Sequence, residues 1–85
     1  MAGRSVDGFQ AVGRRLAAIR QTHGLTQRQL AGKVGKPPSF IAKLERAERR
    51  LDLLDLKALA AALDLAPSSL ADKLLDSSTD EAAPL

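Results

Sequence analysis

The segment 26–46 (TQRQLAGKVGKPPSFIAKLER) limits what this chain can fold into more than any other stretch. The T-x-x-Q spacing that begins at Thr26 is that of a capping box, which fixes the start of a helix. Gly35 predicts the end of that helix, because glycine enters the left-handed conformation without steric cost. Pro37 cannot lie inside a continuing helix, whereas Pro38 suits the first position of a new one. The segment therefore predicts two short helices joined by a tight turn.

Both predicted helices have an apolar side. In the first, Leu30 and Val34 lie four residues apart on one face, and in the second Ile41 and Leu44 point inward. The small Ala31 lies where a second helix would come close. The two helices are therefore expected to pack on each other and to leave a polar, basic outer face. That outer face consists of Pro38, Ser39, Ala42, Lys43 and Arg46.

Residues 27–46 resemble, position by position, the helix-turn-helix of the phage-repressor and Cro type of DNA-binding domain, often called the XRE family. The resemblance begins with Gln27, has Gly35 in the turn and extends over roughly residues 12–74. It implies an all-α, five-helix bundle of the lambda-repressor-like DNA-binding type, whose partner is double-stranded DNA. The competing interpretation is an ordinary pair of packed helices that does not bind nucleic acid.

Charge is distributed unevenly along the chain. Residues 1–50 contain 11 Lys and Arg and 3 Asp and Glu, whereas residues 51–85 contain 2 and 7. A basic half that contains the helix-turn-helix is typical of a DNA-binding protein. A protein-interaction module that does not bind DNA would not need these basic residues, so the charge distribution argues against that function.

Residues that could support catalysis or metal binding are scarce. The chain has no cysteine, which excludes disulfides and thiolate sites, and its one histidine, His23, cannot form a metal cluster. No serine has a companion base in a known spacing and no glycine-rich phosphate loop is present, so we expect no enzyme activity, no metal and no cofactor. No apolar run approaches the roughly 18 residues of a membrane span, and nothing suggests a signal peptide. A cytoplasmic location is the expectation.

Helix signals divide the chain into one domain and two terminal segments. A D-x-x-Q signal at Asp7 predicts the start of helix one, which leaves residues 1–6 as a flexible N-terminal arm. Small, acidic and polar residues at 76–85 predict a disordered tail. The helix-turn-helix DNA-binding domain is therefore assigned to residues 7–75.

Similar signals mark the remaining helices. Asp52, with Asp55 three residues later, predicts the start of helix four, and Pro67 opens a fifth helix that ends near Leu75. Between helices three and four, Ala47 stands where the XRE family usually has glycine. An alanine in the left-handed conformation costs on the order of 1 kcal/mol. The sequence therefore leaves open how helix three ends.

The resemblance assigns roles in DNA binding to individual side chains. Gln27 fits the family's phosphate-clamping glutamine. Four arginines are predicted to contact phosphates beside it: Arg14, Arg28, Arg49 and Arg50. The predicted base-reading residues are Pro38, Ser39, Ala42, Lys43 and Arg46, of which the last can also hold a phosphate. Because this set contains few bidentate donors, part of the specificity is expected to come from DNA shape.

The family also has an arginine at the position of Arg20 that pairs with a glutamate at the position of Glu45 and ties helix one to helix three. The physical reason is that a partly buried carboxylate needs a partner, and a guanidinium can offer it two parallel donors. The alternative is a pair of surface charges that contributes little.

Related proteins bind two half-sites as symmetric dimers, and Leu70 and Leu74 on helix five are the predicted dimer surface. Alternatively, these leucines close the subunit's own core. The predicted function is a homodimeric transcriptional regulator, a repressor that binds a palindromic operator. The alternative is the antitoxin of a toxin–antitoxin pair, which would bind its toxin through the acidic segment 76–85.

Overall fold

The computed structural model describes the backbone of residues 3–75 and the side chains of residues 8–75. These residues form five helices and no strand: α1 (Gly3–Thr22), α2 (Gln27–Lys33), α3 (Pro38–Glu45), α4 (Leu53–Ala62) and α5 (Pro67–Leu75). The predicted all-α, five-helix architecture is confirmed. The predicted disordered tail, 76–85, lies outside the described residues.

The first helix, α1, begins at Gly3 and not at Asp7. Residues 3–6, which were expected to belong to a flexible arm, are therefore helical, and the predicted start of helix one is wrong. Asp7 has helical residues on both sides and cannot act as an N-cap, since an N-cap has a non-helical backbone. The stretch contains no proline, and each residue added to an existing helix contributes a hydrogen bond.

Capping boxes begin α2 and α4. In α2 the Thr26 hydroxyl accepts a hydrogen bond from the Gln29 N–H at 3.0 Å, and Gln29 Oε1 accepts one from the Thr26 N–H at 2.8 Å. In α4 Asp52 Oδ1 accepts from the Asp55 N–H at 2.7 Å, and Asp55 Oδ2 accepts from the Asp52 N–H at 3.1 Å. Helix α3 has no side-chain cap and begins at Pro38, as the proline predicted. The two capping boxes and this proline together located all three starts.

The first four helices all end in the same way. The residue after each C-cap is left-handed, with φ between 60° and 71°: Gly24, Gly35, Ala47 and Asp64. The residue after that one donates its N–H to a carbonyl oxygen near the end of the helix; in α3 this bond joins Glu48 N to Lys43 O at 2.8 Å. This is the Schellman motif. Helix α3 thus ends with the motif expected of a helix followed by glycine. Ala47 takes the left-handed position in place of glycine, at a cost on the order of 1 kcal/mol.

All five helices contribute to one hydrophobic core. Its largest fully buried side chains are Leu16, Leu30, Ile41, Leu59, Leu63 and Leu70.

The two leucines predicted as the dimer surface, Leu70 and Leu74, belong to this core. Their exposed fractions are 0% and 2%. Arg15 Nη1 donates to the Leu74 carbonyl at 2.7 Å, which ties α1 to the end of α5. Side chains with so little exposed surface have none to offer a second subunit, so the predicted dimer surface is corrected. A small domain needs such residues to close its own core.

Helix α1 crosses the C-terminal end of α3 at Gly13. A Cβ atom on Gly13 would lie 2.5 Å from the Glu45 carbonyl oxygen and 2.8 Å from the Leu44 carbonyl oxygen. No side chain fits between the two backbones, so this crossing requires glycine. No pattern in the sequence identifies the contact, because it depends on a distance between helices and not on a period within one.

The same end of α3 is held by the predicted ion pair. Arg20 Nε donates to Glu45 Oε2 at 2.6 Å and Arg20 Nη2 donates to Glu45 Oε1 at 3.2 Å. Arg20 Nη1 also donates to the Leu25 carbonyl at 2.7 Å. The Arg20 and Glu45 side chains are 11% and 7% exposed. The pair is therefore buried and bidentate, which favours a role in holding α1 on α3 over two independent surface charges.

Replacing Gly13 by alanine should destabilise the protein. The new methyl group meets backbone atoms that cannot move away without shifting a helix, and overpacking of this kind costs about 1–3 kcal/mol. The matched control is Gly32→Ala in α2, where an added Cβ meets nothing within 4 Å. Alanine's better helix propensity should raise the free energy of unfolding of this control by up to about 1 kcal/mol. Urea unfolding measures both; equal stability of the two variants would contradict the close crossing.

Removing one partner of the buried pair should cost more than removing both. Glu45→Ala leaves a buried guanidinium without its carboxylate and should lower the free energy of unfolding by about 3 kcal/mol or more. The double replacement Arg20→Met and Glu45→Leu should cost less than the sum of the single changes. Glu48→Ala, which breaks the exposed Arg46–Glu48 pair, is the control and should change the unfolding midpoint little. Additivity of the Arg20 and Glu45 changes would mean that the two side chains do not interact.

Candidate nucleic-acid interface

Helix α3 presents one side to solvent beside α2. Ile41 and Leu44 are 0% and 4% exposed and define its buried side. At about 3.6 residues per turn, the residues on the opposite side of the helix project into solvent. A continuous helical face of this kind can enter the major groove of DNA. The predicted base-reading residues lie on it: Pro38, Ser39, Lys43 and Arg46 are exposed and Ala42 is half-buried.

Gln27, the predicted phosphate-clamping residue, is held by Glu45. Gln27 Nε2 donates to Glu45 Oε1 at 2.9 Å, and Arg20 donates to the same carboxylate. One carboxylate on α3 therefore binds side chains from both α1 and α2. Gln27 is half-buried, and its amide nitrogen has a second N–H. That N–H is the donor that a phosphate contact would use.

Two of the arginines predicted to contact phosphates, Arg14 and Arg28, are exposed on α1 and α2. Arg28 follows Gln27, so both side chains belong to the first turn of α2. Helix α2 contains no acidic residue, so nothing within it offsets the positive charge of Arg28.

Arg49 is engaged within the chain. Its Nη2 donates to Asp55 Oδ2 at 3.3 Å, and its guanidinium lies 4.8 Å from the centre of the Phe40 ring. Lys36 Nζ lies 5.5 Å from the centre of the same ring. Phe40 thus packs against two cations, and Arg49 connects α3 to the capping box of α4. Although the Arg49 side chain is 43% exposed, a phosphate must compete with Asp55 for it.

Arg46 forms an exposed bidentate pair with Glu48. Arg46 Nε donates to Glu48 Oε2 at 3.0 Å and Arg46 Nη2 donates to Glu48 Oε1 at 3.2 Å, with side chains 60% and 53% exposed. The hydrogen bonds and the charge of Glu48 raise the pKa of Arg46 above its usual value. The hydrogen bonds from Arg46, aided by the charges of Arg46 and Lys43, hold the pKa of Glu48 below its usual value. The sequence analysis did not single out Glu48, which pairs with the predicted base-reading Arg46. The available signal was an acidic residue two positions after a predicted base-reading arginine.

A second exposed surface is apolar. Leu53 and Leu54 at the start of α4 are 81% and 77% exposed, Leu75 at the end of α5 is 68% exposed and Phe9 of α1 is 38% exposed. We call these four residues the α4–α5 apolar surface. All but Leu54 line a groove of about 270 Å³, and the Arg50 guanidinium lies 5.4 Å from the centre of the Phe9 ring. Contiguous exposed apolar side chains mark contact surfaces. Periodicity could not separate Leu53 and Leu54 from the core, because leucine and alanine occupy nearly every side of α4.

None of the helices formed by residues 3–75 has both the length and the apolar character that crossing a bilayer requires. Within the described part of the chain, no three His, Cys, Asp or Glu residues lie close enough together to hold a metal ion.

Residues 16–70 match the sequence pattern of the helix-turn-helix family. The immunity repressor protein of Bacillus phage phi105 is 41% identical over 59 residues, a match that covers 69% of this chain and 41% of the phage protein. The chain therefore spans less than half the length of this curated relative.

Two solved structures share the fold at higher coverage. The restriction-modification controller protein C.AhdI from Aeromonas hydrophila is 35% identical, with a TM-score of 0.69 over 73% of this chain and 90% of that chain. An XRE-family like protein from Pseudomonas syringae pv. tomato str. DC3000 is also 35% identical, with a TM-score of 0.72 over 86% and 92% of the two chains. Family and fold are those of DNA-binding regulators rather than of enzymes. Because the family's pattern spans more than half of the sequence and the fold agrees with it, this chain belongs to the XRE-type helix-turn-helix family of DNA-binding transcription regulators.

Proposed function

We propose that the protein represses transcription by binding a palindromic operator as a homodimer. The observation that carries the proposal is the exposed, basic face of α3, which the Glu45 carboxylate holds against α1 and α2. A regulatory role is supported by the names of two relatives, a phage immunity repressor and a restriction-modification controller. Since operators are chromosomal or phage DNA, the proposed location is the cytoplasm.

In this proposal α3 lies in the major groove and reads bases directly. Lys43 donates to O6 and N7 of guanine, Ser39 contacts base edges and Pro38 touches a thymine methyl group. Ala42 contributes its methyl group at a half-buried position. Few side chains on this face of α3 can donate two hydrogen bonds to one base. The remaining sequence specificity therefore comes from the shape of the DNA.

Phosphate contacts fix the position of α3 in the groove. Gln27 and Arg28 supply them from the start of α2 and Arg14 supplies one from α1. Arg49 and Arg50 reach the DNA backbone from the loop after α3. Arg49 is shared with a carboxylate and an aromatic ring, so its contribution should be smaller than that of Arg28.

The α4–α5 apolar surface is the proposed contact with a second copy, in place of the buried Leu70 and Leu74. Fully burying one leucine stabilises a complex by roughly 1.5–3 kcal/mol before the costs of association. A two-fold symmetric contact uses the same surface on both subunits, and a symmetric pair doubles the length of DNA that is read. The toxin-binding alternative depended on residues 76–85, which lie outside the described residues, and no observation favours it.

Replacing Lys43 should separate base reading from phosphate binding. Lys43→Ala should cost about 1–3 kcal/mol per half-site on the preferred operator and much less on a scrambled duplex. The control Arg28→Ala should weaken both duplexes similarly and flatten the log–log dependence on salt by about one unit per subunit. The operator is recovered by selection from random DNA, and affinities are measured by fluorescence anisotropy at several salt concentrations. Equal weakening of both duplexes by Lys43→Ala would show that Lys43 holds a phosphate.

Introducing a charge into the α4–α5 apolar surface should produce monomers. Leu53→Glu leaves the fold intact, because Leu53 is 81% exposed and an acidic residue suits the first turn of a helix. Sedimentation should show a monomer at concentrations where the wild type is a dimer, and affinity for the full palindrome should fall towards that for a half-site. The matched control is Ala58→Glu, an exposed position of α4 outside the groove, which should leave the dimer unchanged. A wild type that is monomeric both free and on DNA would contradict the dimer proposal.

A further inference from the structure

Glu48 is an exposed acidic side chain in a basic stretch of the chain. The stretch 36–50 contains five basic residues and two acidic ones, Glu45 and Glu48. Glu45 is buried by its pair with Arg20, whereas the Glu48 side chain is 53% exposed. A carboxylate repels phosphates, so at this place it works against general attraction to DNA. Its presence calls for a role other than increasing affinity.

The backbone of Glu48 is fixed with respect to α3. Its N–H donates to the Lys43 carbonyl at 2.8 Å, which closes the Schellman motif around the left-handed Ala47. Arg46 is fixed at the same place, since its N–H donates to the Ala42 carbonyl at 3.0 Å. Both side chains therefore extend from backbone positions that are set by the end of the helix, and not from a free loop.

Pairing with Glu48 selects which donors of Arg46 remain. The two hydrogen bonds use the Nε–H and one N–H of Nη2. A guanidinium has five N–H donors, so both N–H groups of Nη1 and one of Nη2 are left. Two of these, one on each terminal nitrogen, point in parallel from the end of the side chain. This edge matches the O6 and N7 acceptors of guanine.

A phosphate also accepts two parallel bonds, but the electrostatics differ. Arg46 and Glu48 together carry no net charge, and the Glu48 carboxylate lies within hydrogen-bonding distance of the donor group. An approaching phosphate would be attracted by one side chain and repelled by the other. The edge of a guanine has no net charge and keeps the full benefit of the two hydrogen bonds.

We propose that Glu48 is a positioning residue for sequence recognition. Glu48 occupies the side of the Arg46 guanidinium formed by Nε and Nη2 and leaves the edge formed by Nη1 and Nη2 facing outward. This makes Arg46 a reader of guanine and prevents it from acting as a phosphate contact. This inference rests on the proposed function, because it requires that α3 read an operator.

The test compares Glu48→Gln with the wild type on the operator selected from random DNA and on a scrambled duplex. Glutamine keeps the shape of the side chain but loses the charge and one of the two acceptor positions. The preference for operator over scrambled DNA should fall about tenfold, the loss of one bidentate base contact. The salt slope on scrambled DNA should become more negative by about one unit per subunit, because Arg46 then binds phosphates.

The same comparison in an Arg46→Ala background shows whether Glu48 acts through Arg46. In that background Glu48→Gln should leave the preference for the operator unchanged, and replacing the guanine that Arg46 reads should no longer matter. Thermal melting checks that every variant is folded. If Glu48→Gln strengthens binding to both duplexes by the same factor in either background, Glu48 only repels DNA and the inference is overturned. If the wild type enriches no sequence at all, the proposed function fails instead.

Discussion

The arrangement of the helix-turn-helix depends on one buried carboxylate. Glu45 ends α3, yet its two oxygens accept hydrogen bonds from Arg20 of α1 and Gln27 of α2. An ionised group that is 7% exposed is costly to bury, and only full pairing offsets that cost. Any displacement of α3 relative to the other two helices would leave part of this charge unsatisfied. The close crossing at Gly13 also holds α3 in place, because it lets the backbone of α1 contact the carbonyl groups at the end of α3.

Holding α3 at its C-terminal end also positions the segment that follows it. The left-handed Ala47 turns the chain back, and Arg49 then joins the Phe40 ring of α3 to Asp55 of α4. Asp55 is itself part of the capping box that begins α4. The loop after α3 is thus connected to fixed points on both sides, although its arginines are exposed. The apolar side chains of Leu53 and Leu54 lie immediately beside that capping box, so the proposed contact between subunits adjoins the loop whose arginines are proposed to contact DNA.

Local signals in the sequence predicted most of the fold. Capping boxes and prolines located the starts of α2, α3 and α4, because these interactions lie within a few residues of one another. The pairing of Arg20 with Glu45 was inferred from the family resemblance alone. Features that depend on distances between helices were not accessible, above all the contact at Gly13. The apolar character of α4 on nearly every side also hid the difference between its exposed leucines and its core. Leu70 was assigned to a dimer surface but is buried, because the sequence of one helix does not show which of its apolar residues the other helices cover.

Two bidentate arginine–glutamate pairs flank the last turn of α3, and burial gives them different consequences. The Arg20–Glu45 pair is shielded from water, so losing one partner strands a charge and destabilises the fold. The Arg46–Glu48 pair is more than half exposed, so water and salt screen it and it adds little to stability. Because the pKa of Glu48 is lowered, the stability it adds is present above the pKa of the unfolded chain and is lost only as the pH falls through the lower value. The exposed pair therefore stays ionised near neutral pH. Since the fold does not depend on it, this pair is available for the base contact proposed for Arg46, while the buried pair keeps α3 in place.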